Sequence, residues 1–358
     1  MKRYICLIFT VVLMESCLKD EDIKLGSVSY QPVQLNDGWK IDTVSSVNFN
    51  MSRFNEIINS VCSENENLFV RSLVIVKKGK LLVEAYPKNP NDRDEPHQVW
   101  SVTKSFVSIL TGIAIDKNYI KNVNDGVFNY LPEYKKYTSG DFLSITIQQC
   151  LTMRSGIDYD NDSAEEEDLL AQVPDELTKY IVERPMKTKP GTEAYYKNSD
   201  PQLLVKVIEN ATNTDLVEFA ENNLFKPLEI NNYFWSRNKD STPYGGFGLW
   251  LRPRDLAKLG QLMLNKGKWN EFQLVSKSWI TEATTYKTTV DSFGYGYFFW
   301  IDVDRNRYWC LGHGGQYIFI VPEKQMVIVV TSDQFADVSG TTIEEVTELV
   351  DKIVAGVN

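Results

Sequence analysis

Apolar residues recur at helical spacing early in the chain: Met51, Phe54, Ile57, Ile58 and Val61 share one face of a 3.6-residue repeat and predict an amphipathic helix. The period then changes. Between residues 72 and 86 two apolar runs flank Lys77-Lys78-Gly79-Lys80, which predicts a β-hairpin. Far along the chain, residues 308–311, 317–321 and 326–331 read as three more strands, the last two joined by Pro322-Glu323-Lys324-Gln325. A final helix follows, with Thr342 and Glu345 as a capping box and an apolar stripe of Val346, Leu349, Val350, Ile353 and Val354. Five strands thus come from the two ends of the chain. The two flanking helices can cover one face of a single antiparallel sheet.

The segments between are helical in pattern: 102–115, 145–151, 166–172, 201–210, 216–222 and 253–264. The expected fold class is therefore α/β in the α+β sense: a five-stranded antiparallel sheet flanked by the N- and C-terminal helices, with a helical domain inserted. We place the sheet domain at 46–110 and 240–358 and the helical domain at 111–239. No internal repeat is evident, and the acidic run Glu165-Glu166-Glu167-Asp168 reads as the solvated start of a helix.

The N-terminus differs in kind. Lys2 and Arg3 precede an apolar run over residues 4–14, too short to span a bilayer, which then meets Glu15-Ser16-Cys17. This predicts a lipoprotein signal peptide at 1–16, lipidation of Cys17 and a tether at 17–45, hence a chain anchored in a bacterial cell envelope, periplasmic or surface-facing; the alternative is ordinary signal-peptide cleavage with Cys17 incidental. Lys19-Asp20-Glu21-Asp22 is similar to the acidic export tag of some surface lipoproteins, or is a solvated tether.

Charge and cysteine usage narrow the chemistry further. A formal net charge of -10, without a basic stretch interleaved with aromatics, excludes a nucleic-acid partner. Cys62, Cys150 and Cys310 have no metal-ligand spacing; they allow at most one disulfide and otherwise read as three separate buried thiols, and a count of two histidines argues against a zinc-type cluster. We expect no metal, no cofactor and no obligate protein partner; the expected partners are a small ester, amide or peptide-like substrate and, through the lipid, a membrane.

Three ordered motifs carry the candidate chemistry: Ser101-Val102-Thr103-Lys104, Tyr196-Lys197-Asn198 after Pro190-Gly191-Thr192, and His313-Gly314-Gly315. In the first, a hydroxyl and an amine lie one helical turn apart, so the amine can accept the hydroxyl's proton. Alone it is weak evidence, since Ser16 with Lys19 and Ser236 with Lys239 match it too, and Ser101 could simply cap a helix whose Lys104 faces water. The apolar run that follows Ser101 separates it from those copies: it would bury the helix, hold its first turn rigid and lower the pKa of Lys104. In the second motif, Tyr196 can relay a proton and Asn198 can anchor Lys104 and a substrate amide. The pair Tyr159 and Asn161 repeats that spacing. In the third, Gly314 and Gly315 let substrate approach the backbone, and the amide of Gln316 can join that of Ser101 as an oxyanion hole.

With these motifs the chain resembles the serine β-lactamase and penicillin-binding-protein superfamily, in the branch with class C β-lactamases, esterases and 6-aminohexanoate-dimer hydrolases. Leu151-Thr152-Met153-Arg154-Ser155-Gly156-Ile157, Gly245-Gly246 before Arg254-Asp255-Leu256-Ala257, and Tyr295-Gly296-Tyr297 extend the resemblance over nearly all of the chain after the leader. It implies a five-stranded antiparallel sheet with helices and a helical domain, the site lying in the cleft between them. It further implies Ser101 as nucleophile, Lys104 as base, Tyr196 as proton shuttle, Asn198 as positioner and the Ser101 and Gln316 amides as oxyanion donors. Tyr159 corresponds to a substrate-side tyrosine of nylon-oligomer hydrolases. The third motif departs from the β-lactamase pattern, because His313 and Gly314 bring neither a permanent charge nor a hydroxyl.

The function implied is a serine hydrolase that opens an ester or amide through an acyl-Ser101 intermediate. The rivals are a D-amino-acid peptidase or β-lactamase and, from a different class, a penicillin-sensor-like module that acylates once without turnover. Substrate choice would rest on the loops at 158–171 and 238–248.

Overall fold

The structure is a computed structural model that describes residues 29–62, 69–159, 174–333 and 342–357. The signal segment 1–16, Cys17, the tether up to residue 28 and the helix expected at 166–172 lie outside the described residues. No helix among the described residues is long and apolar enough to cross a membrane.

The five expected strands are the centre of a wider sheet. In spatial order it runs Lys40–Ile41, Lys80–Ala85, Val70–Lys77, Met326–Ser332, Gln316–Val321, Arg307–Gly312, Trp300–Asp302, Phe293–Tyr295 and Thr288–Val290. Every neighbouring pair is antiparallel except the first, where Lys40 and Ile41 run parallel to Lys80 and Leu81. The expected count of five is thus corrected to nine among the described residues. The additions are strands of two or three residues, too short to display an alternating pattern of their own. Central strands Val70–Lys77 and Met326–Ser332 are buried almost throughout, so they read as continuous apolar runs rather than alternations.

Burial on both faces has a direct cause. A Cβ on Gly260 would lie 2.4 Å from Val327 and 2.9 Å from Ile318, so the Pro253–Leu264 helix sits on the face that Ile318 presents. Its neighbour Phe319 must point the other way. There the Arg307 guanidinium lies over the Phe319 ring and binds Asp351 of the Ile343–Gly356 helix, which packs against the Met51–Cys62 helix. The two terminal helices cover one face, as their stripes predicted, and an internal helix covers the other.

The helix that follows Ser101 spans Val102–Asp116, and its residues are buried without interruption as far as Ala114. A helix apolar all round belongs in the interior. It packs between the Ser199–Thr212 helix and the Arg307–Gly312 strand, so the boundary drawn at 110/111 falls inside one continuous element. Cys150 and Cys310 are buried free thiols as expected, whereas Cys62 is only partly buried.

Candidate active site

Ser101 is held by its neighbours before its own side chain is considered. Val99 donates its amide to Leu249 at 2.9 Å, Thr103 Oγ1 donates to the Trp100 carbonyl at 2.6 Å, and the Leu249 amide donates back to Thr103 Oγ1 at 3.2 Å. Between these ties Trp100 adopts φ 47°, a left-handed conformation that costs a non-glycine residue on the order of 1–2 kcal/mol. The strain sits immediately before the candidate nucleophile. Gly312 seals the other side: a Cβ there would lie 2.2 Å from the Val99 carbonyl, so the end of its strand abuts this turn. Gly314 and Gly315, at φ 68° and 87°, then bend the chain into the Gln316–Val321 strand. His313–Gly315 is therefore the hairpin turn between Gly312 and Gln316, because two successive left-handed residues cannot continue a strand. His313 is exposed and its ring meets Trp100 edge-on at 5.4 Å, which brings the first and third motifs together. The Gln316 side chain braces the turn, donating to the Gly314 and Ser332 carbonyls.

Lys104 is the hub of the site. Its side chain is buried, and Nζ lies 2.8 Å from Ser101 Oγ, 2.6 Å from Asn198 Oδ1 and 2.9 Å from the Gly246 carbonyl, matching the three donors of an ammonium. The same nitrogen stands 4.6 Å from the centre of the Tyr196 ring, which stacks on Trp300 at 5.6 Å. When Lys104 is neutral, its lone pair faces the Ser101 hydroxyl proton across the 2.8 Å contact, the geometry a general base needs.

Two residues reveal what this arrangement displaces. Ser101 and Asn198 both occupy the N-cap position of a helix, where serine and asparagine normally bond a free backbone amide, an interaction worth about 1 kcal/mol. Neither makes that bond here, and both side chains turn to Lys104 instead. The capping role that Ser101 could have filled is thus absent, and Lys104 does not face water.

A second buried cluster anchors the middle motif from behind. Lys197, fully buried, donates to the Met153 carbonyl at 3.1 Å and lies 3.6 Å from Asp200 Oδ2, while Asp200 Oδ1 accepts from Ser155 Oγ at 2.5 Å. Burial pushes the Asp200 carboxyl up and the Lys197 ammonium down, so each depends on its partner to remain charged. The Tyr196–Asn198 segment is thereby fastened to the Leu151–Ile157 segment. Tyr159 lines a recess together with Asn198 and Gly246, two of the residues that bond Lys104.

The motifs alone did not reveal three of the contributors. Gly246 was visible only as half of a Gly-Gly pair; its carbonyl is an acceptor for Lys104, and a Cβ on it would lie 2.4 Å from Asn198 Oδ1. Trp300 comes from a short unpredicted strand, and the Leu177–Val182 helix carries residues of the recess wall. Only the Gly-Gly pair left any signal in the sequence. Among the described residues one group, Asp92, Glu95 and His97, places possible metal-ligand atoms within 4.8 Å of one another. Both Asp92 oxygens already pair with Arg71, and His97 Nε2 lies 3.0 Å from one of them.

Comparison with known proteins identifies the family and the fold. A family model described as Beta-lactamase matches residues 70–350. Protein flp of Staphylococcus aureus (strain MRSA252) is 28% identical over 191 residues, which are 51% of this chain and 38% of that protein. The chain thus spans well under half the length of that relative. The 6-aminohexanoate-dimer hydrolase of Paenarthrobacter ureafaciens is 24% identical over 295 residues, covering 72% of this chain and 71% of the hydrolase. Among solved structures, a family VIII carboxylesterase superposes with a TM-score of 0.70 at 15% identity, covering 92% of this chain and 100% of the other, a likeness of fold.

Proposed function

The chain belongs to the beta-lactamase family, and from that premise we propose that it is a serine hydrolase that opens an ester or amide through an acyl-Ser101 intermediate. The observation that carries this reading is the buried Lys104 Nζ 2.8 Å from Ser101 Oγ, with a cap-type asparagine diverted to hold it. In the first half-reaction Lys104 takes the Ser101 proton, Oγ attacks the carbonyl carbon, and the amides of Ser101 and Gln316 hold the oxyanion. The leaving alkoxide or amine departs with a proton relayed through Tyr196. Water then attacks the acyl-enzyme, giving its proton to the same Lys104 and Tyr196 pair and returning Ser101 with the free acid. An ester or unstrained amide is favoured over a penicillin because His313 and Gly314 provide no fixed cation or hydroxyl for a substrate carboxylate.

The test compares initial rates on a short-chain p-nitrophenyl ester and on a chromogenic cephalosporin, with intact-mass detection of the acyl adduct. Ester turnover with an adduct mapped to Ser101 and little cephalosporin loss is expected. Preferential cephalosporin turnover would give the β-lactamase rival the site, and a stable adduct without turnover would give it to the sensor. A second expectation concerns the hub. Gly246→Ala puts a methyl 2.4 Å from Asn198 Oδ1, so Asn198 must move off Lys104, and ester kcat/KM should fall by roughly 10–100-fold. Ester kinetics together with a circular dichroism melt check that the loss is local.

A further inference from the structure

We propose that Trp100 is a specificity-determining residue: with His313 it forms a two-ring wall beside the oxyanion site, and that wall favours acyl groups unbranched at the α-carbon. The inference rests on the serine hydrolase reading above. It starts from a residue that sits where its type is disfavoured. Residues 99–102 form a turn closed by the Val102 amide on the Val99 carbonyl at 3.1 Å; Trp100, its second residue, has φ 47°, and Ser101, its third, has φ -67° and ψ -7°. Glycine, asparagine and aspartate dominate left-handed turn positions, because a larger side chain there crowds the backbone. Glycine would make the same turn without strain, so the backbone gives no reason for an indole.

The core gives none either. Phe298, the other aromatic residue with a positive φ among the described residues, is 2% exposed and its ring packs in the core. Trp100 is only half-buried and lies outside the core, and its ring meets the exposed His313 edge-on at 5.4 Å.

These two rings come from the segments that carry the proposed oxyanion amides. Trp100 directly precedes Ser101, and His313 precedes Gln316 by three residues. Little else rises around those amides: Gly312, Gly314 and Gly315 have no side chain, Val99 and Val102 are buried, and the Gln316 side chain turns to the Gly314 and Ser332 carbonyls. A Cβ on Gly312 would lie 2.2 Å from the Val99 carbonyl, so the rings meet across a seam otherwise built of backbone. An acyl carbon joined to Ser101 Oγ, with its oxygen on the two amides, therefore lies beside the only rings of either segment. A single chain can lead away from them, whereas a second substituent on the α-carbon must meet one.

The experiment measures kcat/KM on p-nitrophenyl propionate and p-nitrophenyl isobutyrate, which differ by one methyl on the α-carbon, each normalised to its rate with hydroxide. The wild type should favour propionate by about 10-fold or more, the scale on which a pocket distinguishes one methyl. Trp100→Gly and Trp100→Ala should both bring the ratio close to one, Trp100→Phe should keep most of it, and His313→Ala should lower it part of the way. Thermal melts separate ring from backbone: Trp100→Ala keeps the strained φ and Trp100→Gly relieves it, so Trp100→Ala should melt lower although the two share one selectivity. Equal melts would remove the strain from which the inference starts. A wild-type ratio near one, a wild-type ratio retained in both Trp100→Gly and Trp100→Ala, or selectivity lost in Trp100→Ala alone overturns the wall while a fluorophosphonate still labels Ser101. A folding defect in one variant leaves the others to decide. Absence of both ester turnover and Ser101 labelling in the wild type overturns the hydrolase reading, and the wall with it.

Discussion

Ser101→Ala is expected to abolish enzyme-dependent ester turnover, and Lys104→Ala to lower kcat by roughly 10³–10⁴-fold, near the top of the range for loss of a positioned general base. Their sizes follow from how the two groups share one hydrogen bond. Ser101 Oγ is 2.8 Å from Lys104 Nζ and makes no capping bond that would hold its hydroxyl elsewhere, so the amine is the base in contact with it. With Lys104 removed, Asn198 Oδ1 and the Gly246 carbonyl both lose their donor, and the Tyr196 ring loses the cation 4.6 Å above it. Because nucleophile and base act in the same step, their losses should not add, and the double variant should be no slower than Ser101→Ala. Single-turnover kinetics with intact-mass detection check this. Substantial turnover in Ser101→Ala would show that another group attacks the carbonyl.

The same geometry shows how much was legible beforehand. The central strands and the helix after Ser101 could be read from composition because each is buried on all sides and must be apolar. Ser101 and Lys104 could be read as partners because three residues in a helix bring side chains onto one face, a local relation. The choice between Tyr196 and Tyr159 was not local. Both tyrosines precede an asparagine by two, and only the path of the Tyr196–Asn198 segment, fastened through Lys197 and Asp200 to Met153 and Ser155, puts one ring under Lys104. Gly246 was harder still, since the group it contributes is a backbone carbonyl that every residue has. Its absence of a side chain matters only because Asn198 comes close from 48 positions earlier in the chain. Three-residue strands such as Phe293–Tyr295 carry too few positions to reveal a period, so the sheet's edge emerged only from pairing.

Arg254→Met is expected to destabilise the fold by about 3–5 kcal/mol, a large part of the 5–15 kcal/mol that holds a typical domain together. Arg254 opens the helix that covers one face of the sheet, and its guanidinium has no exposed surface. It joins three separate parts of the chain: Nε and an Nη contact the two Asp37 oxygens at 2.7 and 3.1 Å, and the other Nη contacts Glu84 at 2.5 Å and the Val33 carbonyl at 3.3 Å. Tyr86 completes the group by donating to Glu84 at 2.7 Å; burial, with the Glu84 carboxylate beside it, pushes its phenol far up, so it remains a donor. Methionine fills much of the arginine's volume but takes the counter-charge from two buried carboxylates, and this uncompensated buried charge is what makes the loss large. The variant can relieve that penalty only by taking up protons in the folded state. Its native form then binds more protons than its unfolded form, so its stability must fall as pH rises. The deficit against wild type should accordingly be smaller near pH 5 than near pH 8. Adding Glu84→Gln to Arg254→Met should recover part of the loss, because one stranded charge is removed. Urea unfolding of the three proteins at the two pH values measures each quantity, and a deficit independent of pH and untouched by Glu84→Gln would assign the loss to packing alone.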